Sequence, residues 1–166
     1  MRAERHRTAS SWQLTTIVDN VTTVMKTVDQ LTELFRQQGL RVTPQRQAIF
    51  SLLHGDDRHP TVESIYDAAR AQMPTISLKT VYQTVNDLAA MGEVVLLDLG
   101  TGSYRVDPNV EDEHHHLICT HCGKVRDVPL DLPDVRLPPR YRRGFSVSAV
   151  EVNFRGLCDE CAAQSS

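Results

Sequence analysis

SLKTVYQTVNDLAAMGEVVLLDLGTGSYRV, residues 77–106, changes its periodicity halfway along. Ser77 stands as an N-cap before a run in which Val81, Val85, Leu88 and Ala89 fall on one helical face, and Gly92 closes that run. Val94 to Leu99, the glycine turn Gly100-Thr101-Gly102, and Ser103 to Val106 then spell strand, turn, strand. A capped helix followed at once by a hairpin is the end of a winged helix if further helices precede it, and they do. Asp29 to Gln38 places Leu31, Leu34 and Phe35 on one face, with Gly39 as its stop. Thr43 caps a helix that has Pro44 at its first position and carries Ala48, Ile49, Leu52 and Leu53. Thr61 caps a third, with Val62, Ile65, Tyr66 and Ala69 at i, i+3, i+4, i+7, ended by Pro74. Two capped helices a few residues apart in such a cluster form the pattern of a helix-turn-helix.

Outside this block the punctuation weakens. Residues 1–28 show no sustained helical face and read as a mobile extension, with room for a short amphipathic helix within Ile17–Val28. On the other side, Pro108 to Glu113 is polar and acidic, which marks residues 107–113 as a hinge. Beyond it come the short β-branched stretches Leu117-Ile118, Val125 to Val128 and Ser146 to Asn153, with a proline-rich connection from Pro133 to Pro139. These make a second, smaller α/β module over residues 114–162, followed by a tail, 163–166. The fold class is α+β: an N-terminal winged helix-turn-helix domain over 29–106, a hinge, and the smaller module.

A chain of 166 residues holds one ordinary domain or two small ones. Its net charge of -3 does not by itself point to nucleic acid. Residues 1–92 carry ten Lys/Arg against nine Asp/Glu, and residues 93–166 eight against twelve, so the acidity sits in the second module. No apolar run approaches the roughly 20 residues that span a bilayer. Ser10 to Met25 alternates Thr, Val, Asp and Asn and is not the apolar core of a secretory signal. The expected location is the cytoplasm, with no membrane association. In that reducing compartment cysteines serve metal ligation more often than disulfides.

All four cysteines fall into two C-x-x-C pairs, Cys119/Cys122 and Cys158/Cys161, with 35 residues between. Two such knuckles close a tetrahedral four-thiolate zinc site, and Gly123 suits the turn after the first. With no position left for substrate, the Zn(II) is structural. His121 lies inside the first knuckle and reads as an exposed turn residue. Just upstream stand His114-His115-His116, preceded by Glu111, Asp112 and Glu113. In a strand, His114 and His116 share one face and His115 the other. Two imidazoles near carboxylates are half of a transition-metal site, although such a run also occurs as a solvated chelator. His59, before Pro60, reads alone as a surface turn.

Together these residues resemble the ferric-uptake-regulator family over roughly residues 29 to 162. The resemblance is carried by Leu40-Arg41-Val42-Thr43-Pro44-Gln45-Arg46, His59-Pro60-Thr61, Ser77 to Leu88, the His114–His116 run leading into Cys119-x-x-Cys122-Gly123-Lys124, and Gly156-Leu157-Cys158-x-x-Cys161. It implies a metal-dependent transcriptional repressor, not an enzyme, whose second module is a zinc-held dimerisation domain. It implies a regulatory Fe(II) or Mn(II) held by His59, Asp107 (with a one-residue shift in spacing), His114, His116 and Asp127, and no organic cofactor. Aspartate at 127 is similar to the peroxide-sensing branch, where iron-catalysed oxidation by hydrogen peroxide strikes a ligand histidine, by position His59 or His114. Ser148-Ala149-Val150 stands where many iron-sensing members have a further histidine, so no third metal site is expected.

The partners implied are a second copy of the chain and a palindromic double-stranded operator. On the recognition helix, Gln83 can pair with adenine and Tyr82 can meet a thymine methyl group, Lys79 and Thr80 suit phosphates, and Ser77 at its start is a further DNA-binding candidate. Arg41 and Arg46 flank a helix start and can reach backbone or minor groove. The nearest rival is an iron- or manganese-responsive uptake repressor without peroxide sensing. The distant rival, a mononuclear iron enzyme with two histidines and a carboxylate, sits badly with the helix-turn-helix and hairpin.

Overall fold

The computed structural model describes residues 25–100, 102–110, 114–130, 137–147, 150 and 152–164. Along these run α1 (Val28–Gln37), α2 (Pro44–Leu53), α3 (Val62–Gln72), α4 (Leu78–Ala90), β1 (Val95–Leu97), β2 (Arg105–Asp107), β3 (His115–Cys119), β4 (Val125–Val128), β5 (Asn153–Gly156) and α5 (Asp159–Gln164). The four long helices start where a hydroxyl can take up an otherwise free backbone N–H. Thr27, Thr43, Thr61 and Ser77 accept from Gln30, Arg46, Ser64 and Thr80. Thr27 and Gln30 complete a reciprocal capping box, so α1 opens one residue ahead of Asp29. Met25 is buried and Lys26 pairs with Glu93 at 2.6 Å. The end of the segment read as a mobile extension is therefore built into the helical domain. The rest of that segment, residues 1–24, with most of the helix entertained within Ile17–Val28, lies outside the described residues.

One apolar core joins α1 to α4 with Val94 and Val106 from the hairpin, and Phe35 and Phe50 tilt against each other at its centre, 4.8 Å apart. Each fully buried side chain of this size contributes roughly 1.5–3 kcal/mol. The hairpin strands pair antiparallel with Leu96 opposite Val106, and both are shorter than the stretches Val94–Leu99 and Ser103–Val106 had promised. The second sheet runs β4-β3-β5, with β3 antiparallel to β4 and parallel to β5. Strand β5 begins at Asn153, where the expected strand Ser146–Asn153 ends. Residues 148, 149 and 151 of that stretch, and 133–136 of the proline-rich connection, are outside the described residues. Ala163 and Gln164, read as tail, close α5.

A small second core binds the two halves together. Leu97 and Leu99, from the hairpin, pack with Ile118 and Val125 of the three-stranded sheet. Nor is the start of the acidic connection free. Asp107 ends β2, Asp107 to Asn109 are buried, and the Asp107 carboxylate accepts the Asn109 N–H at 2.8 Å. The hinge expected at 107–113 therefore opens with three buried residues, whose turn is held by the Asp107 carboxylate. Residues 111–113 lie outside the described residues.

Candidate metal centres

The zinc knuckle is built by strand register. β3 delivers Cys119, and a turn returns the chain into β4 through Gly123 at φ +72°, with Gly123 N–H donating to the Cys119 carbonyl at 3.0 Å. Parallel pairing sets Gly156 beside Cys119, which carries Cys158 to the knuckle and leaves Cys161 on α5. All four sulfurs lie within 4.8 Å of one another, and the cysteines are unbridged. Cys122 and Cys158 Sγ are 3.7 Å apart. Backbone N–H groups of Cys122 and Cys158 bring the Cys119 thiol down to about 5, while the neighbouring Cys158 sulfur, with burial, pushes Cys161 up to about 12. Four thiolates at this spacing repel, and one divalent cation removes the conflict. The group is compatible with structural zinc.

The second centre is assembled from distant segments. His59 precedes the Thr61 cap in the loop between α2 and α3, and the hairpin grips that loop. Val106 N–H donates to the Pro60 carbonyl at 2.9 Å, and Thr61 bridges to Arg105. His59 holds φ +52°, a left-handed conformation that costs a residue other than glycine of order 1–3 kcal/mol and survives only where surroundings over-determine it. Its ring is fully buried, against the reading of His-Pro as a surface turn. Nδ1 lies 3.1 Å from the Asp57 carbonyl. Since a carbonyl only accepts, Nδ1 carries a proton and Nε2 faces the cluster.

That Nε2 lies 2.9 Å from Asp127 Oδ1 and 3.4 Å from Asp107 Oδ1. His114 Nε2 is 3.0 Å, and His116 Nε2 3.5 Å, from Asp107 Oδ2. As the alternation of β3 required, His114 and His116 meet, their ring centres 4.9 Å apart, while His115 is buried on the opposite face. Register sets His116 directly opposite Asp127 on β4. Ligand atoms of His59, His114, His116 and Asp127 fall within 4.8 Å of one another, and Asp107 touches all three imidazoles through its two oxygens. The structure thus brings together all five residues expected at the regulatory site.

Burial works against a charged His59, but Asp107 and Asp127 outweigh it and push its pKa up to about 10. Burial likewise opposes the Asp107 carboxylate, and His116 and His59 nevertheless hold it well below the usual carboxylate range. His59 Nε2, His116 Nε2 and Asp127 Oδ1 are buried with no aligned hydrogen-bond partner among the described residues. Atoms left so cost about 1–3 kcal/mol each. Three neutral imidazoles and two carboxylates offer a charge of minus two around a common focus, and a divalent ion there satisfies the orphaned atoms. The mixed nitrogen–oxygen set fits a regulatory first-row metal.

The expected DNA-facing residues divide. Lys79, Tyr82 and Gln83 are exposed on α4, and Arg41 is exposed before α2. Ser77 Oγ caps α4 and lies 2.9 Å from Thr80 Oγ1, and the Tyr82 hydroxyl donates to Glu63 at 2.6 Å. Arg46 is turned inward: it pairs with Asp87 at 2.6 Å and lies over the Phe35 ring at 5.0 Å. Reading it as a backbone contact is corrected, because a guanidinium spent on an internal carboxylate and an aromatic face does not reach out. Asn86, one turn beyond Tyr82 and Gln83, shares their exposed face.

Comparison with known proteins supplies the context. The model of the ferric uptake regulator family matches residues 37–155. A peroxide-responsive repressor, PerR, of Staphylococcus aureus is 36% identical over 127 residues, covering 76% of this chain and 85% of that protein. The Helicobacter pylori ferric uptake regulator, a structure described as having three functional metal binding sites, matches with a TM-score of 0.63 at 21% identity, covering 83% of this chain and 95% of that one. A zinc-bound manganese uptake regulator matches with a TM-score of 0.60 at 28% identity, covering 80% and 99%.

Proposed function

This chain belongs to the ferric uptake regulator family, and from that premise we propose a metal-dependent transcriptional repressor that binds palindromic DNA as a homodimer and is switched off by hydrogen peroxide. The observation that carries the reading is the second centre, where His59, Asp107, His114, His116 and Asp127 converge from the loop before α3, the hairpin, and the β3–β4 sheet. A group assembled from both halves binds an ion only when the halves are apposed. Its occupancy therefore favours one arrangement by the difference in affinity between arrangements.

In this reading α3, α4 and the β1–β2 hairpin form the winged helix-turn-helix, with α4 in the major groove and Gln83, Tyr82 and Lys79 at its leading end. The zinc-held part from β3 to α5 is the dimerisation domain. It exposes Phe145, Val147, Phe154 and Leu157, an apolar set of the kind that marks a protein contact. In a dimer, the apposition of the halves sets the spacing of the two recognition helices, about 34–36 Å for successive major grooves. Peroxide sensing is supported by the identity to peroxide-responsive repressors and by the short Asp127 side chain at 2.9 Å from His59 Nε2. Fe(II), when bound, supplies the redox chemistry that directs peroxide onto an adjacent imidazole. What the chain contributes is the placement of His59 and His114 rings beside two carboxylates in a buried pocket.

The test begins by selecting DNA from a random pool with zinc-loaded protein and Mn(II), then measuring affinity with and without metal. The expected result is at least tenfold tighter binding with Mn(II) or Fe(II). Peroxide should abolish binding of the Fe(II) form alone, with one added oxygen on a peptide carrying His59 or His114. Metal-dependent binding that survives peroxide identifies an iron- or manganese-responsive uptake repressor instead, and binding indifferent to metal overturns the proposal.

A further inference from the structure

Arg105 touches both metal centres while belonging to neither ligand set. It lies on β2, two residues before Asp107, so strand alternation turns both side chains to the same face. Its Nη1 donates to the His59 carbonyl at 3.2 Å, and its Nη2 donates to the Gly123 carbonyl at 2.6 Å. The first partner is the backbone of the regulatory histidine, held at positive φ; the second is the turn residue directly after Cys122. Its half-buried guanidinium is the short, rigid fork between the zinc turn and the His59 loop. His59 is thus bracketed by one strand, its ring by Asp107 and its carbonyl by Arg105.

We propose that Arg105 is a positioning residue that makes the regulatory centre's grip on metal depend on an ordered zinc knuckle. This deepens the metal-sensing reading and rests on it. With the knuckle folded, the Gly123 carbonyl fixes one arm of the fork, and the other holds the His59 backbone where the ring meets Asp107 and Asp127. With the knuckle disordered, or the fork removed, His59 relaxes from its left-handed conformation and withdraws Nε2 from the cluster. Order in the structural site is thereby a precondition of sensing, enforced by two carbonyl contacts and no shared ligand.

The test uses the zinc-loaded full chain as wild type, Arg105→Ala and Arg105→Lys. Mn(II) alone is titrated by calorimetry, zinc is counted, Tm is measured, and amide exchange is followed over residues 57–61 and 120–124. For Arg105→Ala the expectation is one zinc per chain, Mn(II) binding weakened at least tenfold, and exchange accelerated at 57–61. An ammonium cannot span both carbonyls, so Arg105→Lys should lose at least threefold with zinc and Tm intact. Should Arg105→Ala fail to fold, Arg105→Lys decides on the same readouts. Mn(II) affinity within twofold of wild type and unchanged exchange, in a variant that keeps its zinc, overturn the proposal. Wild-type protein that binds no Mn(II) sinks the metal-sensing reading itself and the proposal with it.

Discussion

The two groups of side chains that could hold a metal ion among the described residues differ in how far apart their residues are drawn from. Each cysteine pair is local, and the four sulfurs all sit at one end of the β3–β5 sheet, fixed by backbone bonds within that half. The His/Asp group takes one residue from a helical loop, one from the hairpin, and three from the β3–β4 sheet and the residue before it. An ion in the first group orders one half and reaches the other through the Arg105 fork between the Gly123 and His59 carbonyls. An ion in the second is a restraint between halves, so its loss alters shape with little loss of fold. The same contrast separates soft thiolates, suited to a permanent closed site, from borderline imidazole and hard carboxylate, suited to an exchangeable metal.

The largest effect that can break this comparison comes from Cys119→Ser. Structural zinc in small thiolate sites is worth on the order of 10–16 kcal/mol of apparent binding energy. Losing it should unfold the part from β3 to α5 while α1–α4 keep their amide protection, because that core takes no residue from β3 to α5. Metal analysis with residue-resolved exchange reads both. If the β3–β5 sheet stays protected without zinc, the thiolate group is no structural staple and the contrast fails.

How much of this was legible in the sequence follows the same division. The caps Thr43, Thr61 and Ser77 and the C-x-x-C pairs are local patterns, and each falls where it was read. The spacing of His114 and His116 marks half of a metal site, whereas His59, Asp107 and Asp127 enter only through the family resemblance, since a single His-Pro carries no sign of burial. Only the fold, which lays the hairpin across the His59 loop and sets His116 opposite Asp127, turns that histidine inward. The inward turn of Arg46 is invisible in the sequence for the complementary reason. Its partners, Asp87 and Phe35, stand 41 residues after and 11 before it, and no periodicity links them. The burial of Asp107 to Asn109 has no local signal either, since it follows from the Asp107 carboxylate capping the Asn109 N–H, which no residue type announces.

Titration sharpens the comparison next. His59 has a folded pKa of about 10, above its ordinary 6.5. Its contribution to the stability of zinc-loaded protein without a regulatory metal is thus fully present below about 6.5 and is lost as pH rises through about 10. Tm of zinc-loaded protein without Mn(II) or Fe(II) should fall across that window in wild type and much less in His59→Gln. A bound cation must displace the same proton, so Mn(II) affinity should climb about tenfold per pH unit between 6.5 and 8.5. In His59→Gln the slope should flatten, and affinity at pH 8.5 should drop by more than the ~10–100-fold that removal of an outer-sphere partner costs. Zinc content should not move in either protein. A flat affinity profile in wild type shows that His59 carries no exchangeable proton at the site.

The smallest expected effect tests whether position within the thiolate turn is enough to make a histidine matter. His121 lies between Cys119 and Cys122, and its side chain is exposed. What it gives the centre is a backbone N–H directed at the Cys119 sulfur, one of the groups that hold that thiol low. Alanine keeps that N–H, and four sulfurs already fill a tetrahedral zinc. His121→Ala should therefore retain one zinc per chain with a dissociation constant within about twofold, measured by chelator competition, and leave Mn(II) affinity unchanged. His59, equally lone in sequence, lies at the opposite extreme, because its ring and not its backbone faces the metal-binding group. A tenfold loss of zinc in His121→Ala makes the knuckle a mixed sulfur–nitrogen site and removes the sharpest line between the two centres.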